Sequence, residues 1–158
     1  AERDAVAGRQ AFQSFKKLVI NYPNSIYAED ALKRMRFLLT VLAENEIYVA
    51  RYYLRRGALV ASINRCKTVL EKYQETPAVE EALAIMITSY KKLGLTEPAK
   101  NSLRVLELNF PKSPYIKNEY NPRIKGGLPK NLREQIDTTW KEKGLFNRIK
   151  NLFQEAFN

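Results

Sequence analysis

The chain contains no histidine and only one cysteine. The first absence removes the side chain that most often serves as a general base or metal ligand near neutral pH. The second rules out an internal disulfide and leaves the redox compartment open. Long apolar runs are also missing, since none approaches the roughly 20 residues that a helix needs to cross a bilayer. Acid is scarce beside base: 17 Asp and Glu stand against 27 Lys and Arg, for a net charge of +10. Acidic partners are therefore expected, whether protein, lipid headgroup or nucleic acid. The opening AERDAVAGRQ has no initiator Met and no apolar core or cleavage site of a secretion signal, and is expected to come from a processed chain or a piece of a longer one.

Chemistry-bearing motifs are equally sparse. No P-loop, G-x-G-x-x-G, C-x-x-C or metal-ligand spacing occurs, so no cofactor and no metal is expected. Carboxylates fall close together at Glu29/Asp30, Glu44/Glu46 and Glu80/Glu81. Neighbouring helical positions diverge, so a solvated face is expected for each pair, and no enzyme. Nucleic acid is not expected as a partner, because no helix clusters basic residues and the aromatics do not interleave with Lys or Arg.

What is present is a repeat. AFQSFKKLVINYPNS (11–25), SINRCKTVLEKYQET (62–76) and AKNSLRVLELNFPKS (99–113) align without gaps. A small residue (Ala11, Ser62, Ala99) is followed at helical spacing by Phe15, Cys66 or Leu103, then by Leu18, Val69 or Leu106, then by Tyr22, Tyr73 or Phe110. One apolar face results, with a small residue where a neighbouring helix can come close. Cys66 thus takes a core slot shared with Phe15 and Leu103. A reactive thiol helped by Arg65 and Lys67 is the less favoured alternative. Each unit ends in turn residues, with Thr76 and Ser113 as expected N-caps ahead of prolines and Gly94 as an expected C-terminal cap. The spacing from Cys66 to Leu103 is 37 residues, near the 34-residue tetratricopeptide period, and that from Phe15 to Cys66 is 51, a lengthened repeat.

Helices are expected at about 2–21, 25–43, 45–56, 58–73, 77–93 and 96–109. Few breakers interrupt 25–56, so the second and third are expected to be long or nearly continuous. Strand signals are absent. The fold class is all-α, a tetratricopeptide-like α-solenoid of helix pairs over 1–115. Proline and glycine then mark 116–131 as an extended connector, lying on the solenoid or loose in solvent. Residues 132–158 form an expected amphipathic C-terminal helix, with Leu145, Phe146, Ile149, Leu152, Phe153 and Phe157 on one face. It would dock as a cap, bind a partner, or touch an anionic membrane surface.

FKKLVINYPNSIYAEDALKRMRFL (15–38), VARYYLRRGALVASINR (49–65) and TPAVEEALAIMITSYKKLGL (76–95) resemble the BamD family of the outer-membrane β-barrel assembly (BAM) machinery. The resemblance covers about 1–115, corresponds to the C-terminal half of that family, and rests most on YYxxRGAxVAxxNR. It implies a non-catalytic scaffold at the periplasmic face of the outer membrane, its lipid anchor carried on the N-terminal half. It further implies contact with the last periplasmic POTRA domain of BamA, with accessory BAM lipoproteins, and with unfolded outer-membrane proteins.

The resemblance directs attention to Arg55, Arg56, Asn64 and Arg65 around Gly57, where one helix is expected to end and the next to begin. Arg56 and Arg65 are expected to converge on a partner carboxylate, which the planar guanidinium fork can bind bidentately. The competing expectation is ordinary solvated arginine. Tyr52 and Tyr53 sit about 100° apart on a helix and cannot share a face, and Tyr53 is the one expected to be exposed at the interface. From a different class comes a general tetratricopeptide adaptor, binding an extended peptide in its concave groove away from this corner.

Overall fold

The computed structural model describes residues 2–124 and Gly127. Five helices run in sequence: α1 (Glu2–Asn21), α2 (Ala28–Arg55), α3 (Leu59–Lys72), α4 (Ala78–Lys92) and α5 (Thr96–Asn109). A 3-10 turn at Pro114–Ile116 follows, and no strand occurs among the described residues. Each helix packs on the next, and α2 also touches α4. This is the stacking of a tetratricopeptide-like α-solenoid.

The expected second and third helices are one, the 28-residue α2. It has neither Gly nor Pro, and its Ala, Leu, Arg and Glu content favours helix throughout. Glu29 and Asp30 in its first turn complement the helix dipole. They also pair forward with Lys33 at 2.7 Å and Arg34 at 2.6 Å. The Lys33 hydrogen bond holds the Glu29 carboxyl below its usual range.

α2 and α4 end in the same way. Gly57 and Gly94 take the left-handed conformation, at φ 75° and 72°. Gly57 N–H donates to Leu54 O and Ala58 N–H to Tyr53 O, while Gly94 donates to Lys91 O and Leu95 to Tyr90 O. These are Schellman closures, which satisfy the orphan carbonyls of a helix end. A β-carbon at either glycine would meet open space, so the demand is conformational. The beginnings divide differently. Ser113 caps the 3-10 turn by accepting from Tyr115 N–H. The Thr76 hydroxyl instead donates back to Tyr73 O at 2.8 Å, closing α3 where an N-cap for α4 was expected.

The larger core is built from the second half of α2, α3, α4, α5, Tyr115 and Tyr120, joined by Ala5 of α1. α4 lies at its centre and is buried continuously from Ala78 to Ser89 except at Glu81. Ser62 does what its small size suggested: its hydroxyl donates to Ala50 O at 2.9 Å, drawing α3 against α2. Cys66 is wholly buried, and desolvation pushes its thiol pKa far up, so it packs as a small apolar residue. A smaller cluster, Val19, Ala31 and Met35 with Phe12, Phe15, Leu18 and Leu32, holds α1 to the start of α2. The expected helix at 132–158 lies outside the described residues, as do residues 125, 126 and 128–131 of the expected connector.

Candidate partner-binding corner

The turn at Gly57 brings the end of α2 against the start of α3. Arg55 and Arg56 emerge there, both exposed. The Arg56 guanidinium stacks over the Tyr52 ring, 5.5 Å from its centroid. Tyr52, 44% exposed, lies edge-on to Tyr53 with ring centroids 5.8 Å apart. Tyr53 is half-buried, the reverse of the expected order. The reason is angular: Tyr53 shares the side of α2 that carries the buried Ala50 and Leu54, whereas Tyr52 turns away from it.

Asn64 is exposed on α3, its carbonyl accepting from the Thr68 hydroxyl. Arg65 next to it reaches across the hairpin to α2, Nη1 donating to Glu46 Oε2 at 3.2 Å. Its side chain stays 46% exposed while that of Glu46 is only 15% exposed. Arg56 and Arg65 therefore do not converge as expected. One guanidinium rests on Tyr52 and the other on Glu46, six residues or about 9 Å of helical rise apart on α2. Each has taken the nearest favourable partner, an aromatic face one turn back or a carboxylate across the hairpin. Three cations, Arg55, Arg56 and Arg65, are thus exposed on the α2–α3 hairpin, together with Tyr52 and Asn64.

Two of the carboxylate pairs depart from the solvated faces expected of them. Glu80 is buried at 2% exposure in the first turn of α4, where the helix dipole favours a negative charge. Glu81 is half-buried and lies 3.0 Å from Arg51 Nε, out of line for a hydrogen bond but close for charge pairing. Glu81 Oε1 also accepts from the Tyr120 hydroxyl at 2.5 Å. Burial, then the Glu81 charge, pushes the Tyr120 pKa far up, so the phenol stays protonated and keeps donating. This buried network ties α2, α4 and the segment after α5 together, and sequence reasoning missed it. The weak signal was an acid pair, Glu80 and Glu81, directly ahead of six consecutive apolar residues, Ala82 to Ile87. Glu46, of the Glu44/Glu46 pair, is engaged by Arg65.

Among the described residues no group of acids or cysteine could hold a metal ion, and no helix is long and apolar enough to cross a membrane. Helix pairs stacked in line, with charge displayed at a corner, define a tetratricopeptide-like solenoid of the kind that presents surface to partners. The chain belongs to the YfiO family, described as outer membrane lipoprotein, whose pattern matches residues 1–106. It is similar to the outer membrane protein assembly factor BamD of Neisseria gonorrhoeae, 48% identical over 122 residues, covering 77% of this chain and 46% of that protein. With BamD of Vibrio cholerae it is 42% identical over 108 residues, covering 68% and 45%. With BamD of Xylella fastidiosa (Temecula1) it is 38% identical over 130 residues, covering 82% and 44%. The chain thus spans about half the length of the curated relatives it matches.

Proposed function

We propose that the chain is a non-catalytic scaffold of the outer-membrane β-barrel assembly machinery, and that its corner of Arg55, Arg56 and Arg65 binds an acidic patch on the periplasmic POTRA region of BamA. The observation that carries this is the set of three exposed cations around Gly57, in a chain of the family whose relatives are named assembly factors. Tyr52 holds Arg56 in place before a partner arrives, and Tyr53 supports Tyr52 from its half-buried position. Glu46 does the same for Arg65, at the cost of competing with the incoming carboxylate. Asn64 adds a neutral donor beside Arg65. Accessory BAM lipoproteins and unfolded outer-membrane proteins belong to the same proposal. So does a location at the periplasmic face of the outer membrane, by a lipid anchor carried elsewhere on the full-length protein.

The test is binding of the purified chain to the BamA POTRA region by calorimetry. Arg65→Glu is expected to weaken binding by about tenfold or more, within the range for losing one close charge pair, with helical circular dichroism retained and the melting temperature somewhat lowered because a second carboxylate then faces Glu46. Glu46→Gln frees Arg65 and is expected to tighten binding. Undiminished binding by a folded Arg65→Glu variant overturns the assignment.

A second reading, a general adaptor for an extended peptide, is favoured by one feature. Phe37, Val41, Tyr48 and Tyr52 are all exposed on α2. Their spacing puts them within about 60° of arc along about 22 Å of helix. An apolar peptide lying on this stripe would be lost with Phe37→Ala and Tyr48→Ala and kept with Arg65→Glu.

A further inference from the structure

Beyond α5 the chain turns back across α4, and between them lies an open groove of about 510 Å³, a size typical of ligand clefts. Ile87, Leu103 and Ile116 supply apolar surface to it. Lys91 and Lys92 in the last turn of α4, and Lys117 on the returning segment, stand exposed around it, with Glu119 the one acid among its lining residues.

The wall formed by the returning segment is anchored. Tyr120, 4% exposed, donates to Glu81, which pairs with Arg51 of α2. Its ring packs against Tyr115 at 5.9 Å between centroids. Gly127 lies so close to the Tyr120 ring that a β-carbon there would overlap it, and Gly127 O accepts from Asn121 N–H. Asn118 is tied by backbone and side chain to Pro114 O, at 3.1 and 2.7 Å. Lys117 is therefore carried on an anchored segment, and it lines the same groove as Lys91 and Lys92.

We propose that this groove is a docking site for an acidic segment of another protein, seating one apolar side chain on Ile87, Leu103 and Ile116 and its carboxylates on Lys91, Lys92 and Lys117. Charge complementarity selects the occupant. Residues 128–158 of this chain carry six Lys and Arg against four Asp and Glu, a net positive charge that does not complement a lysine-rimmed groove. A flat anionic bilayer could meet the lysines but not the recessed apolar floor, whereas an extended chain can meet both. The groove shares no residue with the Arg55, Arg56 and Arg65 corner, so it stands independently of the proposed BamA contact.

The experiment is fluorescence anisotropy on the 158-residue chain with three probes: a labelled peptide of alternating Glu and Leu, its Lys–Leu counterpart, and vesicles containing phosphatidylglycerol. Saturable binding of the Glu–Leu peptide alone is expected, weakening as salt rises. Lys91→Glu with Lys117→Glu is expected to weaken it about tenfold or more. Tyr120→Phe leaves every charge in place but removes the tie to Glu81, and is expected to weaken it severalfold. Arg65→Glu is expected to leave it unchanged. Equal binding of both peptides, preference for vesicles, or Glu–Leu binding that survives the double lysine reversal in a folded protein each overturns the proposal. Loss of peptide binding in a folded Arg65→Glu variant would move the site to the corner and overturn it too.

Discussion

Along α3, Ser62, Cys66 and Val69 have no exposed surface and Tyr73 retains 9%. Along α1, the aligned Ala11, Phe15 and Leu18 are only half-buried, and Tyr22 is 66% exposed. The two segments carry the same signature at the same spacing and both are helical. They differ in neighbours: α3 packs on both α2 and α4, whereas α1 packs on α2. Helical periodicity selects which face turns inward, but depth of burial depends on how many elements close over that face. In a solenoid each unit is completed by those beside it, so the cover on α1 is that supplied by these 158 residues, which span about half the length of the curated relatives. α5 falls between the two, with Ala99, Leu106 and Phe110 buried and Leu103 half-buried under the returning segment.

Equivalent substitutions across the three units test that difference, the largest effect first. Leu106→Ala empties a fully buried site and is expected to cost about 2–5 kcal/mol in urea denaturation. Leu18→Ala, at the aligned half-buried position, is expected to cost about 1 kcal/mol, in proportion to the apolar area it removes from cover. Equal costs would mean that α1 is as enclosed as α5. Next, Cys66→Phe installs the residue that the first unit carries at Phe15. At a site with no exposed surface the larger ring is expected to destabilise by about 1–3 kcal/mol. A neutral outcome would show slack between α3 and α4 that the packing does not suggest. The smallest effect is expected at the small residues. Ser62→Ala removes the hydroxyl's added bond to the Ala50 carbonyl and should cost about 0.5–1.5 kcal/mol. Ala11→Ser should stay within about 0.5 kcal/mol, as the site is only half covered.

The corner and the groove stand in a similar relation. Arg55, Arg56, Asn64 and Arg65 are legible as a surface cluster from the sequence, because Gly57 marks a helix end and charged residues crowd around it. Their pairing is not. That Arg65 reaches Glu46 depends on the register between α2 and α3, which the Ser62–Ala50 contact sets from within the core. Tyr53 illustrates the same limit: a difference of one residue decides exposure, and the long α2 turns its apolar face gradually as its neighbours change from α1 to α3 and α4. Glu80 and Glu81 were misjudged because adjacent acids ordinarily mean solvent, and the residues that cover and pair Glu81 come from far along the chain, Tyr120 above all.

By itself the sequence determined the class of the fold and its punctuation. Absence of strand patterning and unbroken stretches of good helix formers require helices. Glycines at 57 and 94 require left-handed closures, and a small residue ahead of the apolar face permits close packing. These are local properties, carried by a few neighbouring residues and the backbone they share. Tertiary structure alone decided how deeply each repeat face is buried, which carboxylate each arginine meets, and that the segment after α5 folds back to lock Tyr120 onto Glu81 and form the lysine-rimmed groove. Those outcomes depend on contacts between residues 19 to 39 positions apart, which no local periodicity encodes.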